Sequence, residues 1–204
     1  APFKAAQLQV LIDTNLSTRY DDRPRSVAPI CQRIATQFTA RPGNYLAFFS
    51  SYAYLQQVHD AFQRGHPNIT TVAQRSGMSE QERASFLSSF TDRSSHIGFC
   101  VLGGAFGEGI DLPGNRLVGA FITTLGLPAK TPVNEEIMRR MQLRFGRGYD
   151  YAYFYPGLQK VIQAAGRVIR TETDTGVLML LDDRYARSEA IRMMPGWWEI
   201  SGMA

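Results

Sequence analysis

Gln163, Arg167 and Arg170 stand at i, i+4 and i+7 in the run Gln163-Ala164-Ala165-Gly166-Arg167-Val168-Ile169-Arg170. On a helix turning about 100° per residue, these side chains fall within roughly 60° of one another. Two guanidinium forks beside an amide suit bidentate contact with phosphate oxygens. The competing reading is a solvated helix face, the common reason for charge opposite a core. A solvated face normally mixes signs, whereas this stripe holds no acidic residue. It also abuts Gly166, which takes up no space where a ligand would approach.

A second cluster follows an apolar run: Gly103-Gly104-Ala105-Phe106-Gly107-Glu108-Gly109-Ile110-Asp111-Leu112-Pro113-Gly114. Glycine density at a strand end permits positive φ and close approach of backbone to a phosphate or a nucleic-acid strand. Glu108 and Asp111 place carboxylates beside that backbone. A plain structural loop has the same composition. A third cluster, Phe48-Phe49-Ser50-Ser51-Tyr52, runs from an apolar strand into two hydroxyls and a ring. Hydroxyls bond phosphate oxygens and tyrosine stacks on bases; Ser50 or Ser51 serves equally as a helix N-cap.

Other features are set aside on chemical grounds. Val177-Leu178-Met179-Leu180-Leu181-Asp182-Asp183 looks like a strand ending in magnesium-binding carboxylates, yet no G-x-x-x-x-G-K-[ST] loop exists anywhere to cradle the phosphates such a metal would serve. Asp182 and Arg184 are therefore assigned loop-orienting roles. Cys31 and Cys100 sit in apolar periodic segments and read as buried thiols of a cytoplasmic protein. Two cysteines cannot form a four-thiolate iron–sulfur cluster or a structural zinc site. His59, His66 and His96 lack ligand spacing, so no metal site is expected, and Trp197-Trp198 reads as a packing plug.

The elements that must position these clusters follow from periodicity. Val27, Ile30, Cys31, Ile34, Ala35 and Phe38 mark one face of a helix ending near Pro42-Gly43. Tyr45–Phe49 is a buried strand, followed by a helix through Leu55, Val58 and Phe62 and a strand at Ile69–Ala73. Ser79-x-x-Glu82 forms a capping box ahead of Phe86, Leu87 and Phe90. Strands follow at Ile97–Leu102 and Leu117–Thr124. Thr131-Pro132 caps a helix through Ile137, Met138 and Met141, and Pro156 opens a helix reaching Arg170. Val177–Leu181 is the last strand. Apolar strands alternating with amphipathic helices predict a three-layer α/β domain whose mostly parallel central sheet is flanked by helices. In such sheets, functional loops gather at the carboxyl ends of the strands.

The 204 residues, 44% hydrophobic and 20% charged, suit one globular domain with a sizeable core. No apolar run approaches the roughly 18–20 residues of a membrane-spanning helix. The opening Ala1-Pro2-Phe3-Lys4 has neither an initiator Met nor a signal-peptide core, as expected of a fragment of a longer protein. The net charge of +4 says little, but of 22 basic residues only Lys4, Lys130 and Lys160 are lysines, a bias toward phosphate chemistry.

Taken together, these segments resemble the second motor lobe of XPD/DinG-like helicases in helicase superfamily two. Gln163–Arg170 looks like that family's motif VI, Q-x-x-G-R-x-x-R. Phe106-Gly107-Glu108-Gly109-Ile110-Asp111 looks like motif V, and Phe48-Phe49-Ser50-Ser51-Tyr52 like motif IV, with Ser50 where proline is frequent. Gly176 through Arg184 resembles the strand after motif VI, and the likeness covers nearly the whole chain as one lobe, 1–204. It implies a RecA-like fold and ATP-driven translocation on single-stranded DNA, with 5′→3′ polarity. Carried over by position, Gln163, Arg167 and Arg170 face ATP bound to a first lobe absent from this sequence, the arginines acting as fingers. Glu108, Gly109 and Asp111 link nucleotide to DNA. Ser51, Tyr52 and Gly104 face the strand, with Gln74 and Arg75 as further DNA candidates. The ATP and Mg2+ sites, and any iron–sulfur cluster, belong outside this chain, and the bearer is a cytoplasmic protein of bacterial type. The rivals are a non-catalytic nucleic-acid-binding or protein-docking module that keeps the fold, and a related enzyme acting on RNA.

Overall fold

The computed structural model describes residues 3–104, 106 and 111–202. Ala105 and Gly107-Glu108-Gly109-Ile110 lie outside the described residues, so two of the predicted nucleotide-linking positions, Glu108 and Gly109, are not placed. The chain runs β1 (Leu8–Ile12), α1 (Arg23–Ala40), β2 (Tyr45–Phe49), α2 (Tyr52–Gly65), β3 (Thr71–Ala73), α3 (Glu80–Ser88) and β4 (Ile97–Val101). It continues through β5 (Gly119–Ile122), α4 (Pro132–Phe145), α5 (Tyr155–Ala165), β6 (Gly176–Leu180), α6 (Ser188–Met193) and β7 (Glu199–Gly202).

The strands form one sheet in the order β3-β4-β2-β5-β6-β1-β7, with every neighbouring pair parallel. Parallel strands need crossover helices, which cover both faces and leave the strands apolar on each side. β2 shows the result: all five residues are buried. Tyr45, Ala47 and Phe49 pack toward α1 and α2, with Ile30, Ile34, Leu55, Val58 and Phe62. Leu46 and Phe48 pack on the other face with Phe86 of α3, Leu158 and Val161 of α5, and Ala190 of α6. The expected three-layer architecture is present.

Local signals set most boundaries. Ser79 and Glu82 close the reciprocal box at the start of α3, and Thr131 Oγ1 accepts from the Asn134 N–H at 3.2 Å with Pro132 at the helix start. α4 buries no residue of its own. It is tied to a π-helical turn, Asp150–Phe154, through the Tyr153 hydroxyl, which donates to Glu135. Trp198 is buried, and the Trp197 ring packs against that of Phe3 at 5.4 Å, tilted by 52°, as a plug would. Two strands were not foreseen. β1 is a short alternating segment, and β7, an exposed edge strand of Glu199-Ile200-Ser201-Gly202, is specified by pairing with β1 rather than by its own pattern.

Candidate functional site

The predicted helix through Arg170 stops at Ala165. Glycine at 166 is a poor helix former, and the backbone tightens there: Arg167 N–H donates to Ala164 at 3.2 Å and Val168 N–H to Ala165 at 3.1 Å, both i→i−3. The stripe Gln163, Arg167, Arg170 is therefore not one helix face. Gln163 is exposed on the last turn, Arg167 is half-buried in the tightened turn, and Arg170 lies on the loop entering β6. Val168 and Ile169 still reach the core, which explains why their spacing mimics a continued helix.

Arg170 is held twice. Its backbone N–H donates to Asp174 Oδ2 at 2.7 Å, alongside the Thr171 N–H at 2.8 Å. Thr171 Oγ1 donates to the other oxygen, also at 2.7 Å. Burial pushes the Asp174 carboxyl up, but the Thr171 hydroxyl and the backbone donors outweigh it and hold the group below the usual carboxylate range. Gln7 Nε2 donates to the Thr171 and Asp174 carbonyls at 3.1 and 3.0 Å, fastening the loop to the segment before β1. The guanidinium of Arg170 meets Asp111 Oδ1, 2.9 Å from Nη2 and 3.3 Å from Nε. Its side chain is 33% exposed and that of Asp111 is 73% exposed.

This pair joins two of the predicted nucleotide-facing residues from separate segments. It does not lie where the general rule for parallel sheets places function. Arg170 and Asp111 precede β6 and β5, so they stand toward the amino ends of the strands, opposite the expected carboxyl edge. The reason is topological: α5 runs antiparallel to the strands it connects and carries the chain back down the sheet before β6 begins.

The carboxyl edge gathers the other group. Ser51 caps α2, its hydroxyl accepting from the Tyr54 N–H at 3.3 Å, so the capping reading holds. Tyr52, on the first turn, is partly exposed. Gln74 is buried and spends its amide internally, Oε1 accepting from the Val101 N–H at 2.8 Å and Nε2 donating to Tyr52 Oη at 3.0 Å. A β-carbon on Gly104 would lie 3.4 Å from Gln74 Nε2 and 3.3 Å from the Val101 carbonyl, so a bare residue belongs there. Tyr52, Gln74 and Gly104 are thus one contiguous cluster formed by three different strand ends. Arg75 turns away to pair with Glu82 at 2.8 Å. Phe106, the first residue of the motif V-like run, is buried with its ring 4.4 Å from that of Phe86.

The Asp182 end of β6 has the orienting character expected of it. Its buried carboxylate takes a fork from Arg184, at 2.6 Å from Nε and 2.8 Å from Nη2. The Thr18 N–H and hydroxyl add contacts at 2.9 and 2.5 Å. Burial pushes the Asp182 pKa up, yet the Arg184 and Thr18 contacts win and lower it. Both cysteines are buried and free, and burial raises both thiols, Cys31 to about 11. Sequence reading missed Asp174 and Gln7. The Thr171-x-x-Asp174 spacing is a turn signal that could have found the first, whereas nothing local marks Gln7, which acts across the fold.

No helix among the described residues is long and apolar enough to cross a membrane. The family model for the helicase C-terminal domain matches residues 34–201. A probable ATP-dependent helicase of Methanocaldococcus jannaschii is 28% identical over 204 residues, covering 91% of this chain and 30% of its own length. The ATP-dependent DNA helicase DDX11 of Danio rerio is 28% identical over 184 residues, covering 76% of this chain and 20% of its own. The chain therefore spans less than a third of the length of these relatives. A solved apo XPD structure superposes with a TM-score of 0.76 at 18% identity, over 97% of this chain and 40% of that one. The C-terminal domain of the DEAD-box protein Dbp5 does so at 0.58 and 14%, over 97% and 90%. These structural likenesses identify the fold as RecA-like. With the family model spanning most of its length, the chain belongs to the helicase C-terminal domain family, and its fold is that of the corresponding part of XPD.

Proposed function

We propose that this lobe is half of an ATP-dependent translocase on single-stranded DNA, moving 5′→3′, in which Arg167 and Arg170 act on ATP and Mg2+ held by a first lobe of the same protein. The observation carrying this reading is the Arg170–Asp111 pair. Arg170 is fixed at its backbone by Asp174, while its guanidinium rests on a carboxylate that is mostly exposed. Exposed ion pairs contribute only about 0–1 kcal/mol, so exchanging Asp111 for a phosphate oxygen costs little. A triphosphate fits such a group. When bound, ATP supplies the phosphoryl group, and this chain supplies positive charge around a loose transition state.

In this reading Gln163 contributes to the nucleotide site from the last turn of α5, and Glu108 and Gly109 complete the link from nucleotide to DNA. At the carboxyl edge, Tyr52 stacks on a base, Ser51 and the bare backbone at Gly104 admit the strand, Gln74 sets the Tyr52 ring, and Arg75 adds charge once it leaves Glu82. Dividing cation and cradle between lobes makes hydrolysis depend on their closure. The test compares the pure chain with the full-length protein, each given single-stranded DNA or RNA. The chain alone should not hydrolyse ATP, whereas the full-length protein should do so with DNA stimulation. Robust turnover by the chain alone would refute the split site, and stimulation by RNA alone would refute the DNA assignment.

A further inference from the structure

Lys160 lies on α5, one turn before Gln163, in a chain whose other cationic side chains are nearly all arginine. Its stem passes over two loops at once. A β-carbon built on Gly126, after β5, would stand 3.5 Å from Lys160 Cβ. One built on Gly103, after β4, would stand 3.5 Å from Cδ and 3.8 Å from Nζ. Both glycines hold positive φ, 66° and 77°, so the backbone is kept bare on both sides of this one side chain. The stem is half-buried, and the ammonium forms no ion pair or hydrogen bond among the described residues.

The place it reaches is specific. Gly103 adjoins Gly104, which faces the Gln74 amide, which in turn bonds Tyr52. A ring, a bare turn and an ammonium without a partner among the described residues therefore stand together at the carboxyl ends of β2, β3 and β4. That set matches one unit of a single strand, a base to stack on and a phosphodiester to neutralise. The nucleotide-facing pair is elsewhere, beyond the far end of α5. We infer that Lys160 binds a backbone phosphate of the single strand as it passes Tyr52, which rests on the proposal that this edge carries nucleic acid. A compact ammonium on a flexible stem follows a sliding phosphate more readily than a planar fork bound in two places.

The test uses the full-length protein and a fluorescein-labelled oligo(dT), with Kd measured by anisotropy across a salt series. Neutralising one phosphate contributes about 0.7 to the slope of log K against log salt. K160Q should flatten the slope by about 0.7 and weaken binding roughly fivefold near 0.1 M salt. K160R should restore both. If the parent protein fails to bind oligo(dT), the nucleic-acid reading itself falls. If the parent binds, Y52A weakens it, and K160Q keeps the parental slope and Kd, the Lys160 inference alone is overturned. It is equally overturned if K160R falls with K160Q, which marks a packing role, or if K160Q shifts only the KM for ATP.

Discussion

If Arg170 is the finger proposed above, Arg170→Ala should separate catalysis from folding. The ion pair it removes joins side chains 33% and 73% exposed, and pairs of that kind contribute about 0.2–1 kcal/mol. The backbone donors to Asp174 come from the main chain of 170 and 171 and survive the substitution. Unfolding free energy should therefore move by less than about 1 kcal/mol. Removing an arginine that stabilises phosphoryl transfer costs about 10³-fold or more in turnover, equivalent to about 4 kcal/mol of barrier. The assay is DNA-stimulated ATP hydrolysis by the full-length protein, with urea unfolding of the same preparation and oligo(dT) affinity as controls. We expect turnover down about 10³-fold, stability nearly unchanged and DNA affinity retained. Turnover within a few-fold of the parent would refute the finger assignment. A stability loss of several kcal/mol would show instead that Arg170 is structural.

Three further outcomes follow from contacts in the same lobe. Arg184→Ala takes the guanidinium fork from a buried Asp182 carboxylate, leaving it the Thr18 contacts and the main-chain N–H of residue 184 but no countercharge, and should destabilise by about 3 kcal/mol in urea unfolding. Asp182 and Asp174 both titrate below their unfolded values, so they stabilise fully above about pH 4 and lose that contribution as pH falls through their folded values. Acid unfolding of the parent should therefore steepen below about pH 4, and Asp182→Asn should flatten that limb. Asp174→Ala, which releases the Arg170 backbone, should lower kcat roughly tenfold, the scale of about 1.4 kcal/mol of lost positioning, while oligo(dT) affinity stays within twofold.

The sheet was readable because its strands are buried on both faces. Tyr45–Phe49 and Gly176–Leu180 are continuous apolar runs with no other comfortable place in a soluble fold. The caps at Ser79 and Thr131 were readable because they act within three residues. What failed had distant causes. The apolar spacing of Val168 and Ile169 is the same whether a helix continues or a turn delivers them to the core, and the turn is favoured by Gly166 together with Asp174, which captures the Arg170 and Thr171 amides. Gln74 looked like a surface contact because the residue type is polar and a strand precedes it. Its burial depends on Val101 and Tyr52, which are far away in sequence. β7 has almost no pattern of its own, so only its partner β1 defines it.

α5 spans 11 residues, a rod about 16 Å long, with Leu158, Val161, Ala164 and Ala165 all sunk in the core. So anchored, it cannot slide or bend without tearing open packing that the whole lobe shares. In the proposed two-lobe motor, such a lobe would act as a crank rather than a spring, and the compliance that meters each step would fall to the hinge between the lobes.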